Sequence, residues 1–417
     1  MTKPLTTGLF FCIIVMLSAC ANTDGTRYAA VKTVHNNPAC HISSSWCVEN
    51  YTYVSLAPTR PVNYVKDELL LVYDQKLNEH DAEHLLKTYK LRPKNRALLA
   101  SAGLNLITAK TNGQDPLHLE QAINNKQKDI KAQTNNYFYT GSIANPLITS
   151  TGYPFSFTGI EAAYPFTKGK GVKIGMVDTP VDIFHESLRG KAITLQGSVE
   201  RDPKTLQHGT EIAGTMVSSN PRVGIAPEAS LYVAPAFGKS TDNKGTAADI
   251  AKAIEDCIKA DVDILNLSFA GEQDDLVDTM VKQALRNKII VVASAGNNGP
   301  NAKPAYPAAL DGVIAVTAID NKQNIFSKAN RGNYIDLAAP GVGILTTAPH
   351  SSYKLASGTS IATAHVSGLI ALLLSMQRQG FDPNILTKTA IDLGQDGRDN
   401  DYGYGLVNLS QALKALK

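Results

Sequence analysis

The sequence predicts an α/β chain: a mostly parallel sheet covered by helices on both faces, preceded by a small α+β unit. Three observations carry this prediction. After Gly171, short unbroken apolar runs alternate with helical stretches. The runs are Val172 to Val177, Ala229 to Pro235, Asp263 to Ser268, Ile289 to Ser294 and Gly312 to Ile319; the helical stretches are Gly209 to Ser218, Thr246 to Ala260 and Asp274 to Asn287. Parallel strands buried on both faces read as continuous apolar runs, and their crossovers are helical. Before residue 141 the order reads strand, helix, strand, strand, helix, strand. The length of 417 residues at 43% hydrophobic provides for one large core and a smaller one.

Residues 1–19 read as a secretory leader. Lys3 gives a weak basic start, and Gly8 to Ala19 is an apolar run too short for the ~20 residues a bilayer span needs. It ends in Leu17-Ser18-Ala19-Cys20, which resembles the bacterial lipobox. That resemblance implies cleavage before Cys20 and acylation of its sulfur; the alternative is an ordinary signal peptide with a chance cysteine. With an acylated Cys20 the chain is expected outside the cytoplasm, anchored to a bacterial membrane. The outer membrane is favoured, since Ala21 stands where an inner-membrane retention aspartate would be.

Residues 20–60 read as a tether with little periodicity. Cys40 and Cys47 lie close in an oxidising compartment, which suggests a disulfide; zinc is the rival, with only His41 nearby. Cys257 reads as a small buried hydrophobe. Residues 61–140 form the small unit. Glu68 to Tyr73 is a strand, Asn78 caps a helix through Tyr89, and Leu104 to Ala109 is a strand. Asp115-Pro116 starts a second helix, and Ile130 to Phe138 returns as a strand. This is the split βαβ, ferredoxin-like pattern. Residues 141–165, rich in Gly, Ser, Thr and Pro, read as a linker, and 166–417 as the large domain. With 40 basic and 37 acidic residues, nothing points to a nucleic-acid partner.

In an open parallel sheet, functional groups collect at strand carboxyl ends and the helix starts that follow. Asp178 ends Lys173-Ile-Gly-Met-Val-Asp178. His208 stands at the front of a helix in His208-Gly-Thr-Glu-Ile-Ala-Gly214, and Ser360 at the front of an apolar helix in Gly358-Thr-Ser360-Ile-Ala-Thr-Ala-His365. A serine hydroxyl needs a base to become a nucleophile. Histidine can be that base near neutral pH, and a carboxylate can fix its tautomer and stabilise its cation. Free N–H groups at the start of the Ser360 helix suit an oxyanion. Asn297, in Ser294-Ala-Gly-Asn297-Asn-Gly299, offers a side-chain amide for the same purpose, or simply makes a turn.

These strings resemble the subtilases, the subtilisin-like serine peptidases, over about Gly171 to Leu413 and in the order Asp, His, Ser. The resemblance implies a serine endopeptidase acting on proteins or peptides through a triad of Asp178, His208 and Ser360, with Asn297 as oxyanion donor and an acyl-enzyme intermediate. It implies that Ser268, Phe269 and Ala270 pair with the substrate and wall its pocket, that Ser294, Ala295 and Gly296 form the opposite wall, and that Ala305 forms the floor. Such substrates bind as an added strand, and the small walls suggest apolar residues before the cut. The small unit would be a self-removed pro-region whose tail, Asn135 to Thr140, occupies the cleft.

The sequence departs from the family at Ala364, which replaces a proline, at Glu211, where histidine is frequent, and at Thr179-Pro180. No cofactor or metal is assigned. The Asp396–Asp401 run could hold calcium, although such runs are more often solvated turns. The alternatives are a catalytically silent, membrane-anchored binding lipoprotein and a maturase dedicated to one partner precursor.

Overall fold

The computed structural model describes residues 63–141, 152–197, 202–238 and 244–416, together with the backbone pairing of four short strands elsewhere. The chain divides into two units, Met1–Asn63 and Tyr64–Lys417. In the first, strands Cys20–Ala21, Arg27–Lys32 and Tyr51–Ser55 pair antiparallel in that order. The leader, the side chain of Cys20, and Cys40 and Cys47 lie outside the described residues.

The second unit opens with a four-stranded antiparallel sheet. Its strands, by sequence, are Tyr64–Asp74, Arg92–Leu99, Leu104–Lys110 and Ile130–Thr140. The last strand lies beside the first, followed by the third and the second. Helix Glu79–Thr88 is capped by Asn78 and helix Pro116–Asn124 by Asp115. Alternation along the strands gives the sheet two apolar faces. Leu69, Leu71 and Ile107 pack with the unit's own helices. Leu70, Leu106 and Phe138 join a core formed with the rest of the chain.

That larger part is a seven-stranded parallel sheet in the order Ile193–Leu195, Ser230–Pro235, Lys173–Asp178, Ile264–Leu267, Ile290–Ser294, Ile314–Ile319, Leu337–Pro340. One face carries Ile174, Met176 and Val316 against helices Pro203–Val217 and Thr359–Met376. The other carries Leu265, Leu267 and Val291 against helices Ala247–Lys259 and Asp275–Arg286. Helix Thr359–Met376 is long and apolar enough to cross a membrane, yet 89% of its apolar window is buried, so here it is a core helix. Cys257 is buried, and burial raises its thiol pKa.

Two sequence expectations change. The helix bearing His208 begins at Pro203, capped by Asp202, so His208 lies inside it rather than at its front. The stretch expected to be linker, 141–165, contains helix Tyr153–Thr158 between Gly152 and Gly159. The Tyr153 hydroxyl donates to Val342 O at 2.6 Å, and Phe155 and Phe157 pack on the large core. Gly and Pro gave the segment a linker's composition, while its aromatic residues supply a buried face.

Candidate active site

The parallel strand Lys173–Asp178 delivers a fully buried carboxylate at its carboxyl end. Asp178 Oδ1 accepts from Thr179 N at 2.7 Å and lies 2.7 Å from His208 Nδ1. Thr179 Oγ1 accepts from Gly209 N at 2.7 Å, tying the histidine helix to the strand end. Burial works against the His208 imidazolium, but the charge and hydrogen bond of Asp178, aided by Glu211, outweigh it and hold the pKa above its ordinary value. His365, the other histidine of the motif strings, is buried in the long helix, where desolvation lowers its pKa to about 4.

Ser360 is the second residue of helix Thr359–Met376. Its carbonyl accepts from Ser268 Oγ at 3.0 Å. Asn297 Oδ1 accepts from the backbone N and the hydroxyl of Thr359, each at 3.0 Å, which fixes the amide so that Nδ2 points into the cleft. Ser360 Oγ and Asn297 Nδ2 both donate to one atom, the carbonyl oxygen of Gly141, each at 3.1 Å.

The chain around Gly141 runs through the cleft as a strand. Upstream, Phe138, Tyr139 and Thr140 pair antiparallel with Gly271, Ala270 and Phe269. On their other side, Tyr137, Phe138 and Tyr139 pair with Thr246, Gly245 and Lys244. Downstream, Ile143 and Ala144 pair with Ser357 and Ala356. The Phe138 side chain is fully buried, edge-on to Phe269 at 5.8 Å. A Cβ on Gly271 would come within 2.3 Å of the Phe138 ring, so the pocket exists only because that residue is glycine.

The wall residues are framework as well as surface. Ser294 Oγ donates to Phe269 O at 3.0 Å, and Ala295 O accepts from Tyr334 OH at 2.7 Å. Gly296 has φ +99°, and a Cβ there would lie 2.8 Å from Asn330 Nδ2 and 3.1 Å from Ala305 Cβ. Ala305 is therefore beside Gly296, and both are buried. The residue whose carbonyl meets Ser360 and Asn297 is Gly141, which has no side chain to fill a pocket; the apolar side chain held in a pocket is Phe138. One link of the expected triad is open. His208 Nε2 is buried without a hydrogen-bond partner, while Ser360 Oγ is engaged with Gly141.

In the Asp396–Asp401 run, Asp399 accepts from the backbone of Gln395, Asp401 and Tyr402, and Asp401 pairs with Arg331. No group of acidic, histidine or cysteine side chains among the described residues is arranged to hold a metal. Sequence reasoning missed Gly141, the strand Lys244–Thr246 and the Phe138 pocket. Only the aromatic run Tyr137-Phe138-Tyr139 signalled the last of these.

Comparisons with known proteins agree in direction. The Subtilase family matches residues 169–405. The thermophilic serine proteinase of Bacillus sp. (strain AK1) is 31% identical over 84% of this chain and 88% of its own. Fervidolysin from Fervidobacterium pennivorans, described as a keratinolytic enzyme related to subtilisin, superposes with a TM-score of 0.72 at 23% identity. That match covers 85% of this chain and 62% of fervidolysin and speaks to fold. The prenylagaramide maturation protease PagA superposes at 0.56 with 27% identity, over 62% of this chain and 99% of PagA.

Proposed function

This chain belongs to the subtilase family of serine endopeptidases, hydrolases of peptide bonds in proteins and peptides, and from that premise we propose that its first substrate is itself, at the Gly141–Ser142 bond. The observation that carries the reading is the Gly141 carbonyl, 3.1 Å from both Ser360 Oγ and Asn297 Nδ2.

The mechanism follows from those contacts. Ser360 Oγ attacks the Gly141 carbonyl carbon while His208 Nε2 takes the hydroxyl proton, and Asp178 holds the opposite ring nitrogen and stabilises the cation. Negative charge forming on the carbonyl oxygen is met by Asn297 Nδ2 and the helix-start backbone of Ser360. The C–N bond then breaks, the proton passes from His208 to the Ser142 amine, and Gly141 remains esterified to Ser360. Water, deprotonated by His208, attacks the ester carbonyl; the bond to Ser360 Oγ breaks, His208 returns its proton to that oxygen, and the Gly141 acid leaves. The chemistry needs no cofactor, since base, nucleophile and oxyanion donors are all side-chain or backbone groups.

On this reading residues 61–140 are a ferredoxin-like pro-region, a role supported by the strand order and by the continuity of its last strand with the cleft. The burial of Phe138 supports a preference for an aromatic residue three positions before the reacting one. We further propose that Cys20 anchors the precursor to a bacterial membrane, with Cys40 and Cys47 forming a disulfide. The cut would then separate the acylated terminus from the catalytic domain. A maturase dedicated to one partner is the second reading, favoured by the close fit of Phe138 and the likeness to PagA. Profiling a peptide library distinguishes the two, since a maturase gives a narrow motif. Labelling of Ser360 by a fluorophosphonate tests the activity itself, and unlabelled processed protein would support a silent binding lipoprotein. Palmitate incorporation that is absent from the parent chain, or that persists in Cys20→Ser, removes the anchor.

A further inference from the structure

We propose that Glu211 and Lys354 act as a positioning pair for the catalytic base, setting the pH range in which His208 can accept the proton of Ser360. The inference rests on the protease reading above. Glu211 follows His208 by three residues on helix Pro203–Val217, and such a spacing places both side chains on one side of the helix. Its carboxylate is fully buried, at 0% exposure. A buried carboxylate is costly unless paired and hydrogen-bonded. Lys354 Nζ lies 2.9 Å from Glu211 Oε1, and Gln207 Nε2 donates to the same oxygen. The Glu211 carbonyl is held by Thr346 Oγ1 at 2.7 Å and Thr215 Oγ1 at 2.9 Å, which pins the backbone that carries the carboxylate.

Among the described residues, the charges that act on His208 come from three elements: Asp178 from the strand end, Glu211 from its own helix and Lys354 from strand Ser352–Ser357. Asp178 and Glu211 favour the imidazolium, and Lys354 opposes it. The pair therefore adds two opposed influences to the Asp178–His208 couple. Its lysine comes from the strand whose far end, Ala356–Ser357, pairs with the residues after the scissile bond. One ion pair thus joins the base helix to the strand lining the leaving-group side. Stability alone does not explain it, because replacing a buried ion pair by well-packed apolar groups is often neutral or stabilising.

The test is the pH dependence of self-cleavage by the refolded full chain, comparing Glu211→Gln, Lys354→Gln and the double variant with the parent. The proposal expects the acid limb to move to lower pH in Glu211→Gln and to higher pH in Lys354→Gln. Each shift should be about half a unit or more, as for a unit charge roughly one helical turn away. The double variant should lie between the two, and Glu211→Asp and Lys354→Arg should retain the parent limb. Limbs that coincide with the parent in both glutamine variants, even with reduced rates, overturn the proposal. If Glu211→Gln does not fold, Lys354→Gln decides alone, because its side chain is partly exposed and its removal opens no closed core; an unmoved limb there overturns the proposal equally. A parent chain that never cleaves refutes the protease reading instead.

Discussion

Ser360 Oγ and the carbonyl oxygen of Gly141 stand 3.1 Å apart across 219 positions of sequence. The contact joins the start of the core helix to the residue that follows the last strand of the small unit. Asn297 Nδ2 reaches the same oxygen, so a peptide carbonyl of the chain sits where an oxyanion would be received.

Asn297→Ala should lower kcat for self-cleavage and for peptide hydrolysis by roughly 10²–10³, with KM nearly unchanged; this magnitude is the one known for loss of the equivalent donor in subtilisin, a member of the same family. Steady-state kinetics check it. A large rise in KM with normal kcat would make Asn297 a turn residue.

Peptides ending in Tyr-Phe-Tyr-Thr-Gly before the cut should be preferred over the same peptide with alanine in place of phenylalanine. Burying a phenylalanine side chain contributes about 2 kcal/mol, or roughly 30-fold in kcat/KM. Gly271→Val should abolish that discrimination, because its side chain would occupy the space of the ring. Equal rates for both peptides with the parent enzyme would remove the pocket from the account.

Self-cleavage should fall away on the acid side with a midpoint above the ordinary histidine value of ~6.5. The direction follows from the raised pKa of His208, since only the neutral ring can act as base. The effect on stability has the opposite sign. A raised folded-state value means that the His208 cation stabilises the fold below ~6.5, and this contribution is lost as pH rises through the folded-state value. A rate profile and a pH series of denaturation midpoints on Ser360→Ala, with and without His208→Gln, check the two halves.

Glu255→Ala should loosen the small unit. The Glu255 carboxylate on helix Ala247–Lys259 accepts from the backbone and hydroxyl of Ser101, and it is buried. Hydrogen bonds to a charged group contribute about 1.5–3 kcal/mol. In a Ser360→Ala background, hydrogen exchange in strand Leu104–Lys110 should speed up, while exchange in the parallel sheet should not.

Strand ends and motif strings made Asp178, Ser360 and Asn297 legible, because each stands where a continuous apolar strand stops or a helix starts. The Asp-Pro helix start of Asp115-Pro116 recurs at Asp202-Pro203, which is why the helix bearing His208 begins ahead of the histidine. Gly141 carried no signal, since its part is played by a backbone carbonyl that any residue possesses. The pairing of Glu211 with Lys354 spans two distant segments brought together by tertiary packing, which periodicity cannot reveal. Lys244–Thr246 is too short for alternation to register, and its strand character comes from pairing with Tyr137–Tyr139.

The most direct measurement is the N-terminal sequence of the large fragment formed when purified full-length chain is allowed to process itself, with Ser360→Ala in parallel. The account predicts a fragment beginning Ser142-Ile143-Ala144 from the parent and an intact Ser360→Ala chain. A different first residue, or the same cut in Ser360→Ala, would contradict it.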